Sequence, residues 1–241
     1  MTATATPKSE APSRRDAVVD ALMRLASDRP WSDIEVTDIA REAGVSLAEF
    51  RDLFPSKGAV LGALSRRIDK QVLEGTTEDL ADEPARERIF DVMMRRLDAL
   101  EPYRAGLRRI FYALRQDPLS MLALNQSALN SMRFMLAAAG ISTEGPLGRI
   151  KLQGAVIVFA NTLETWLEDD DPTLAATMAR LDRELRRGER VLERADDLRR
   201  LTLPFRAVGQ ALLDSRRRIR RRTRGYDRGA DGETNDPAAA I

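Results

Sequence analysis

The residues from Val36 to Lys57, VTDIAREAGVSLAEFRDLFPSK, constrain this chain more than any other stretch. Val36, Ile39 and Ala40 give a short helix one apolar face, and Ala43 closes it. Gly44 supplies the positive φ that ends a helix and turns the chain. Val45 is expected to bury its side chain at the junction. Ser46 stands where a helix N-cap belongs, with Glu49 three residues on as its capping-box partner. Phe50, Leu53 and Phe54 then face inward, Pro55 breaks the second helix, and Ser56-Lys57 opens a third. Two short helices joined by a tight turn containing Gly form the geometry that lays its second helix in the DNA major groove.

The rest of the chain is also helical in pattern. Ser13 can cap a helix carrying Val18, Val19, Leu22 and Leu25, which Asp28-Arg29-Pro30 ends. Leu61, Leu64, Ile68 and Val72 are in register on a helix begun at Ser56 and closed near Gly75. Ile89, Val92, Met93, Leu97 and Leu100 mark another between Asp82 and Leu100. Pro102, Pro118 and Pro146 each open a further one, and Gly140 closes the second of these. Asp171-Pro172 reads as an N-cap with Pro in the first turn, ahead of Leu174, Met178, Leu181 and Leu185. A final helical region is expected from about Glu189, with a break near Pro204. No window alternates apolar and polar residues long enough for a strand, and there are no internal repeats. The expected fold class is all-α, with about nine helices. The expected organisation is an arm over 1–12, a DNA-binding domain over 13–57 with its helix-turn-helix at 35–54, a helical domain over 58–214 and an Arg-rich tail over 215–241. Composition predicts disorder for the arm and most of the tail.

Composition excludes several chemistries. The 241 residues include no Cys and no His. Disulfides, zinc fingers, thiolate catalysis and His-based general base catalysis are absent by inventory. There is no Gly-rich phosphate loop and no Ser nucleophile in a recognisable setting, so no catalytic residue, metal site or cofactor is expected. The acidic run Glu168–Asp171 reads as a loop that caps a helix. Net charge is only +1, so affinity for nucleic acid must come from local clustering of charge. The first fifteen residues lack an apolar core of signal-peptide length. The apolar stretches near 119–139 and 152–159 are too interrupted to cross a bilayer. A cytoplasmic protein is the expectation.

The residues Trp31, Asp38, Ile39, Ala40, Ala43, Gly44, Val45, Ser46, Phe54, Pro55, Ser56 and Lys57 closely resemble the DNA-binding domain of the TetR family of bacterial repressors. The likeness covers about residues 14–64. It implies a small DNA-binding head joined to a larger helical domain that dimerises and binds an effector. It also implies a homodimeric repressor on a palindromic operator. Members of that family often carry Lys, Gly and Thr after the turn Ser, and Tyr and His later in the recognition helix. Here those places hold Leu47, Ala48, Glu49, Arg51 and Leu53.

Between Trp31 and Lys57 six acids (Asp33, Glu35, Asp38, Glu42, Glu49, Asp52) face three bases (Arg41, Arg51, Lys57), a local charge of −3. That is unfavourable against a polyanion. Arg51 and Lys57 are the candidates for phosphate or guanine. Leu47 or Ala48 could touch a thymine methyl, and Glu49 or Asp52 could accept from a cytosine amine. The capping role of Glu49 is an equal alternative. Arg14 and Arg15, with Lys8, could compensate from the arm. Thr37 and Ser46 complete the candidate DNA-binding set. Seven of the nine residues Arg216–Arg224 are Arg, a block that suits DNA or anionic lipid, or serves as a solvated tail.

The larger domain should offer apolar stripes for dimerisation, and Leu152–Trp166 and Leu174–Leu185 supply two. Candidate effector-lining residues are Phe111, Met121, Met132, Met135, Phe159 and Trp166, with Asn125, Gln126 and Asn161 as polar orienters. A Met-rich wall suits a lipophilic small molecule. One further resemblance competes. The stretch from Trp166 to Leu185 is similar to the C-terminal region of the lipid-binding ubiquinone-biosynthesis proteins, which share the fold and have lost DNA binding. It implies a non-DNA-binding lipid carrier as the alternative.

Overall fold

The computed structural model describes residues 13–75 and 82–194. The arm over 1–12, the region beyond 194 with its expected break near Pro204, and the tail over 215–241 lie outside the described residues. The described residues up to 192 form one compact unit, and a second unit begins at 193. Of the second unit only Glu193 and Arg194 are described, and both are helical.

Among the described residues of the first unit every regular element is helical. The order is α1 (Arg14–Asp28), a 3₁₀ turn (Trp31–Asp33), α2 (Val36–Glu42), α3 (Leu47–Leu53), α4 (Lys57–Glu74), α5 (Ala85–Leu100), α6 (Arg104–Arg115), α7 (Pro118–Ala138) and α8 (Gly148–Glu168). Helix then resumes at residue 175 as α9. Short-range chemistry sets these boundaries. Ser13 accepts from the Asp16 amide to start α1, and Ser56 accepts from the Ala59 amide to start α4. Asp117 caps α7 by accepting from the amides of Leu119 and Ser120. Gly140, with φ +67°, closes it as a left-handed C-terminal residue should.

One boundary differs from the sequence pattern. Asp171 and Pro172 belong to a turn, closed by the Leu174 amide on the Asp171 carbonyl at 2.9 Å. Leu174 takes φ +51°, a left-handed conformation that costs a side chain about 1 kcal/mol. The cap of α9 comes from upstream. The Asp169 carboxylate accepts from the Thr177 amide at 2.8 Å and its hydroxyl at 2.7 Å. These bonds hold the Asp169 carboxyl below the usual carboxylate range. The helix also runs unbroken through Gly188 to 194, so no separate segment begins at Glu189.

A single apolar cluster extends from α1 to α9, with Leu22, Ile39, Met93, Leu97, Trp166 and Leu181 among its fully buried members. It therefore crosses the expected head–body boundary at residue 57. Gly106 lets α6 press on α1: a Cβ there would lie 2.9 Å from the Met23 carbonyl oxygen. Arg104 clamps the start of α6 to the end of α8. It donates to the Trp166 carbonyl at 2.6 Å and also to that of Asp169, with its guanidinium 5.0 Å from the Trp166 ring centre.

Charge is buried inside this core. Arg96 of α5 pairs with Asp69 of α4, and the two are 5% and 7% exposed. Ser131 of α7 donates to Asp69 at 2.7 Å, and Arg96 also reaches Ser65 at 3.1 Å. The Phe159 ring of α8 lies 5.1 Å from the guanidinium. Four helices thus meet on one ion pair.

Candidate nucleic-acid interface

The turn between α2 and α3 forms as its residues dictate. Gly44 has φ +68°, and a hydrogen bond from the Val45 amide to the Ala40 carbonyl closes it. The Ser46 hydroxyl accepts from the Glu49 amide at 3.1 Å, and Glu49 accepts from the Ser46 amide at 2.9 Å. Helix α2 carries the reciprocal arrangement of Glu35 and Asp38. The bond from the Glu35 amide to Asp38, at 3.1 Å, holds that carboxyl below its usual range, with Arg29 and Arg41 adding to the effect. Phe50 and Phe54 are buried and Leu53 is half-buried. Val45 is half-buried rather than fully so, and Val36 is exposed. The inward face of α2 therefore rests on Ile39 and Ala40.

Burying that side of α3 leaves Leu47, Ala48, Arg51 and Asp52 outward. Steps of four residues put them on one helical face. Leu47 is 52% exposed. Arg51 makes no hydrogen bond or ion pair with any described residue. Thr37 and Ser46 stand exposed at the starts of α2 and α3.

The other cations of the expected set are committed within the fold. Lys57 turns inward and donates to the carbonyls of Trp31 at 2.7 Å and Ile34 at 3.0 Å. Burial pushes its ammonium below the usual lysine range. Arg15 donates to the Leu53 carbonyl at 2.9 Å and lies 4.4 Å from the Phe54 ring centre. Arg15 thus holds the end of α3, and Lys57 holds the loop that leads into α2 as a brace and not as an outward cation. Arg14 pairs with Glu49, which makes Glu49 a cap and an ion-pair partner together. Arg24 pairs with Glu42, and Arg29 and Arg41 with Asp38.

The expected effector residues differ in exposure. Met132, Met135 and Trp166 are close-packed core. Phe111 and Phe159 are half-buried, Met121 is 40% exposed, and Asn125 exchanges weak hydrogen bonds with Gln153. None of them lines either of two clefts on this unit. One, of about 570 Å³, opens beside the start of α4, and the other, of about 830 Å³, beside the 3₁₀ turn and α6. The expected interface stripe on α8 also faces inward, with Leu152 and Trp166 buried. The exposed apolar residues of α8 are Ile150 and Ile157, at 45% and 52%, and Met178 is exposed on α9.

Sequence reading missed the Arg96–Asp69 pair. Its signal was a charge in step with an apolar stripe: Arg96 falls between Val92, Met93 and Leu97, Leu100.

An exposed, reciprocally capped second helix on an all-α frame defines a helix-turn-helix protein of the TetR fold. Over 82 residues the chain is 39% identical to the HTH-type transcriptional regulator EthR of Mycobacterium tuberculosis, a match covering 34% of this chain and 37% of that one. The chain thus spans little more than a third of the curated relatives it matches. The fold is similar to that of a TetR transcriptional regulator from Nitrosomonas europaea, with TM-score 0.58 and 24% identity over 74% of this chain and 99% of the other. A TetR regulator from Rhodococcus aligns with TM-score 0.53 and 17% identity over 73% and 94%. No protein-family model matches. The chain thus shares the fold of TetR regulators and a local identity with one HTH-type regulator. No helix among the described residues is long and apolar enough to cross a membrane.

Proposed function

We propose that this chain is a DNA-binding transcriptional regulator of the TetR type, a cytoplasmic repressor acting as a homodimer on a palindromic operator. The outward face of α3 carries this reading, because a reciprocally capped helix presents four exposed side chains, among them an Arg51 that no described residue pairs with. Arg51 would take a phosphate or a guanine edge, Leu47 and Ala48 a thymine methyl, and Asp52 a cytosine amine. Thr37, Ser46 and Arg14 would flank them at the backbone. Arg15 would hold the end of α3 and Lys57 the loop ahead of α2, and neither would make a base contact. EthR, named as a transcriptional regulator, supports the reading through its 39% identity over 82 residues.

Dimerisation would use the outer face of α8, where Ile150, Gly154 and Ile157 recur at steps of four and three, together with the exposed Met178 of α9. The two heads would then reach half-sites about 34–36 Å apart. A lipophilic effector would act by binding one head spacing better than the other, since a ligand with equal affinity for both shifts nothing. Footprinting on the DNA upstream of the chain's own gene, with light scattering of the purified protein, tests this. Two protected half-sites and a dimer are expected. A monomer that protects nothing at low salt would end the reading.

The acid-rich head, with most of its cations paired internally, favours one alternative: a lipid-binding accessory protein that shares the fold. Native mass spectrometry separates the two. Co-purified isoprenoid or phospholipid together with no operator affinity would select the carrier.

A further inference from the structure

The 570 Å³ cleft lies between the first turns of α4 and the facing sides of α6 and α7. Three cations line it, Arg15, Lys57 and Arg66, and no carboxylate does. Arg15 and Lys57 are already held by backbone carbonyls. Arg66 is different: it makes no hydrogen bond or ion pair with any described residue, and neither does Ser127 on α7. The two meet over Gly62. A Cβ on that glycine would sit 3.1 Å from Ser127 Oγ and 3.8 Å from an Arg66 terminal nitrogen. The bare glycine thus leaves a notch with two donors within 4 Å of it, and neither has an acceptor among the described residues. The carboxylate at the start of α7, Asp117, is occupied by its own helix and the Ser120 hydroxyl. The remaining wall is apolar, with Trp31, Phe54, Leu61, Leu114 and Leu124. Just along α7, Leu119 and Leu122 are 79% and 71% exposed.

We propose that this cleft binds an anionic amphiphile, with a carboxylate or phosphate head at Arg66 and Ser127 and an acyl or aryl body along the apolar wall. A guanidinium and a hydroxyl converging on one point suit an oxyanion, and hydrogen bonds from a cation to an anion are the strong ones. The volume is in the range of small-molecule sites. The site is separate from the residues expected to line an effector pocket in the larger domain, and its occupation does not depend on DNA binding. It touches α4 at its first turns, directly after the recognition helix. A molecule held there would bear on the position of the head.

Calorimetric titration of the full chain with octanoate, octyl phosphate, 1-octanol and inorganic phosphate, all below micelle concentrations, tests the assignment. The two octyl anions should bind at least about tenfold more tightly than octanol. Arg66→Ala and Ser127→Ala should each weaken the anions about tenfold and leave octanol unchanged, and Ala123→Glu, which puts a carboxylate on the α7 wall of the cleft, should weaken the anions at least as much. Arg66 and Ala123 are exposed, and circular dichroism checks that the variants fold. A preference between octanoate and octyl phosphate identifies the head group. Octanol binding as tightly as octanoate, inorganic phosphate as tightly as octyl phosphate, variants without effect, or no binding at millimolar concentration would each overturn the proposal.

Discussion

Lys57 donates a hydrogen bond to the carbonyl oxygen of Trp31 at 2.7 Å, and the same ammonium lies 4.3 Å from the centre of the Trp31 ring. One side chain at the first turn of α4 therefore fixes the loop that leads into α2. A cation at this place would be read from sequence as a phosphate contact, and its geometry makes it a brace.

Replacing it should accordingly weaken folding first. Lys57→Met leaves the carbonyls of Trp31 and Ile34 without their donor, at a cost of about 2 kcal/mol. Denaturant unfolding measures the loss. Operator affinity, corrected for the folded fraction, should keep its dependence on salt. An unchanged midpoint with a shallower salt dependence would instead make Lys57 a phosphate contact.

Arg51 is expected to behave in the opposite way. Arg51→Ala removes an exposed cation that no described residue pairs with, so stability should stay within about 0.5 kcal/mol. Operator affinity should fall about tenfold in gel-shift titrations, and the slope against salt should drop by about 1 for each head. Unaltered affinity and slope together would place α3 away from the duplex.

The Arg96–Asp69 pair predicts a sign. Asp69→Ala strands a buried guanidinium, at a cost of about 3–5 kcal/mol. Replacing both partners with apolar residues, as in Asp69→Leu with Arg96→Met, should recover most of that loss. Unfolding curves of the single and double variants decide it. A double variant as unstable as the single one would mean that the four-helix junction depends on the charges themselves.

Asp169 predicts a pH effect. Its carboxyl is held low by the hydrogen bonds from Thr177, so the unfolded chain takes up the proton first. The stabilisation is complete above the ordinary Asp range, about pH 4, and is lost as pH falls through the lower folded value. Asp169→Asn should cost about 1 kcal/mol at pH 7. Its melting temperature should approach that of the parent as both are taken toward pH 2. A gap that stays constant across that range would show that the charge of Asp169 contributes nothing. Asp38 and Asp117, also held low by hydrogen bonds, should account for acid sensitivity remaining in the variant.

Much of the candidate site was legible because its determinants lie within four residues of one another. Ser46 with Glu49, Gly44 at the turn and Ser56 at the next helix are local devices, and the structure forms each of them. The same holds for the inward pair Phe50 and Phe54. The start of α9 was misread because Asp171-Pro172 is equally good chemistry for a turn, and the cap came from Asp169 instead. Periodicity found the helices of the larger domain. It could not say which flank of α8 meets the core, since both Leu152 and Ile157 sit on apolar stripes.

By itself the sequence determined helix positions, the turn and its caps, and the outward residues of α3, because backbone hydrogen bonding and φ preference act over a few residues. The destinations of the long charged side chains were decided only in three dimensions. Lys57 reaches a carbonyl 26 residues away, and Arg96 reaches a carboxylate 27 residues away. Arg66 and Ser127 meet over Gly62 although they lie on different helices. Such pairings depend on how helices pack, and packing is settled by the fit of many side chains at once.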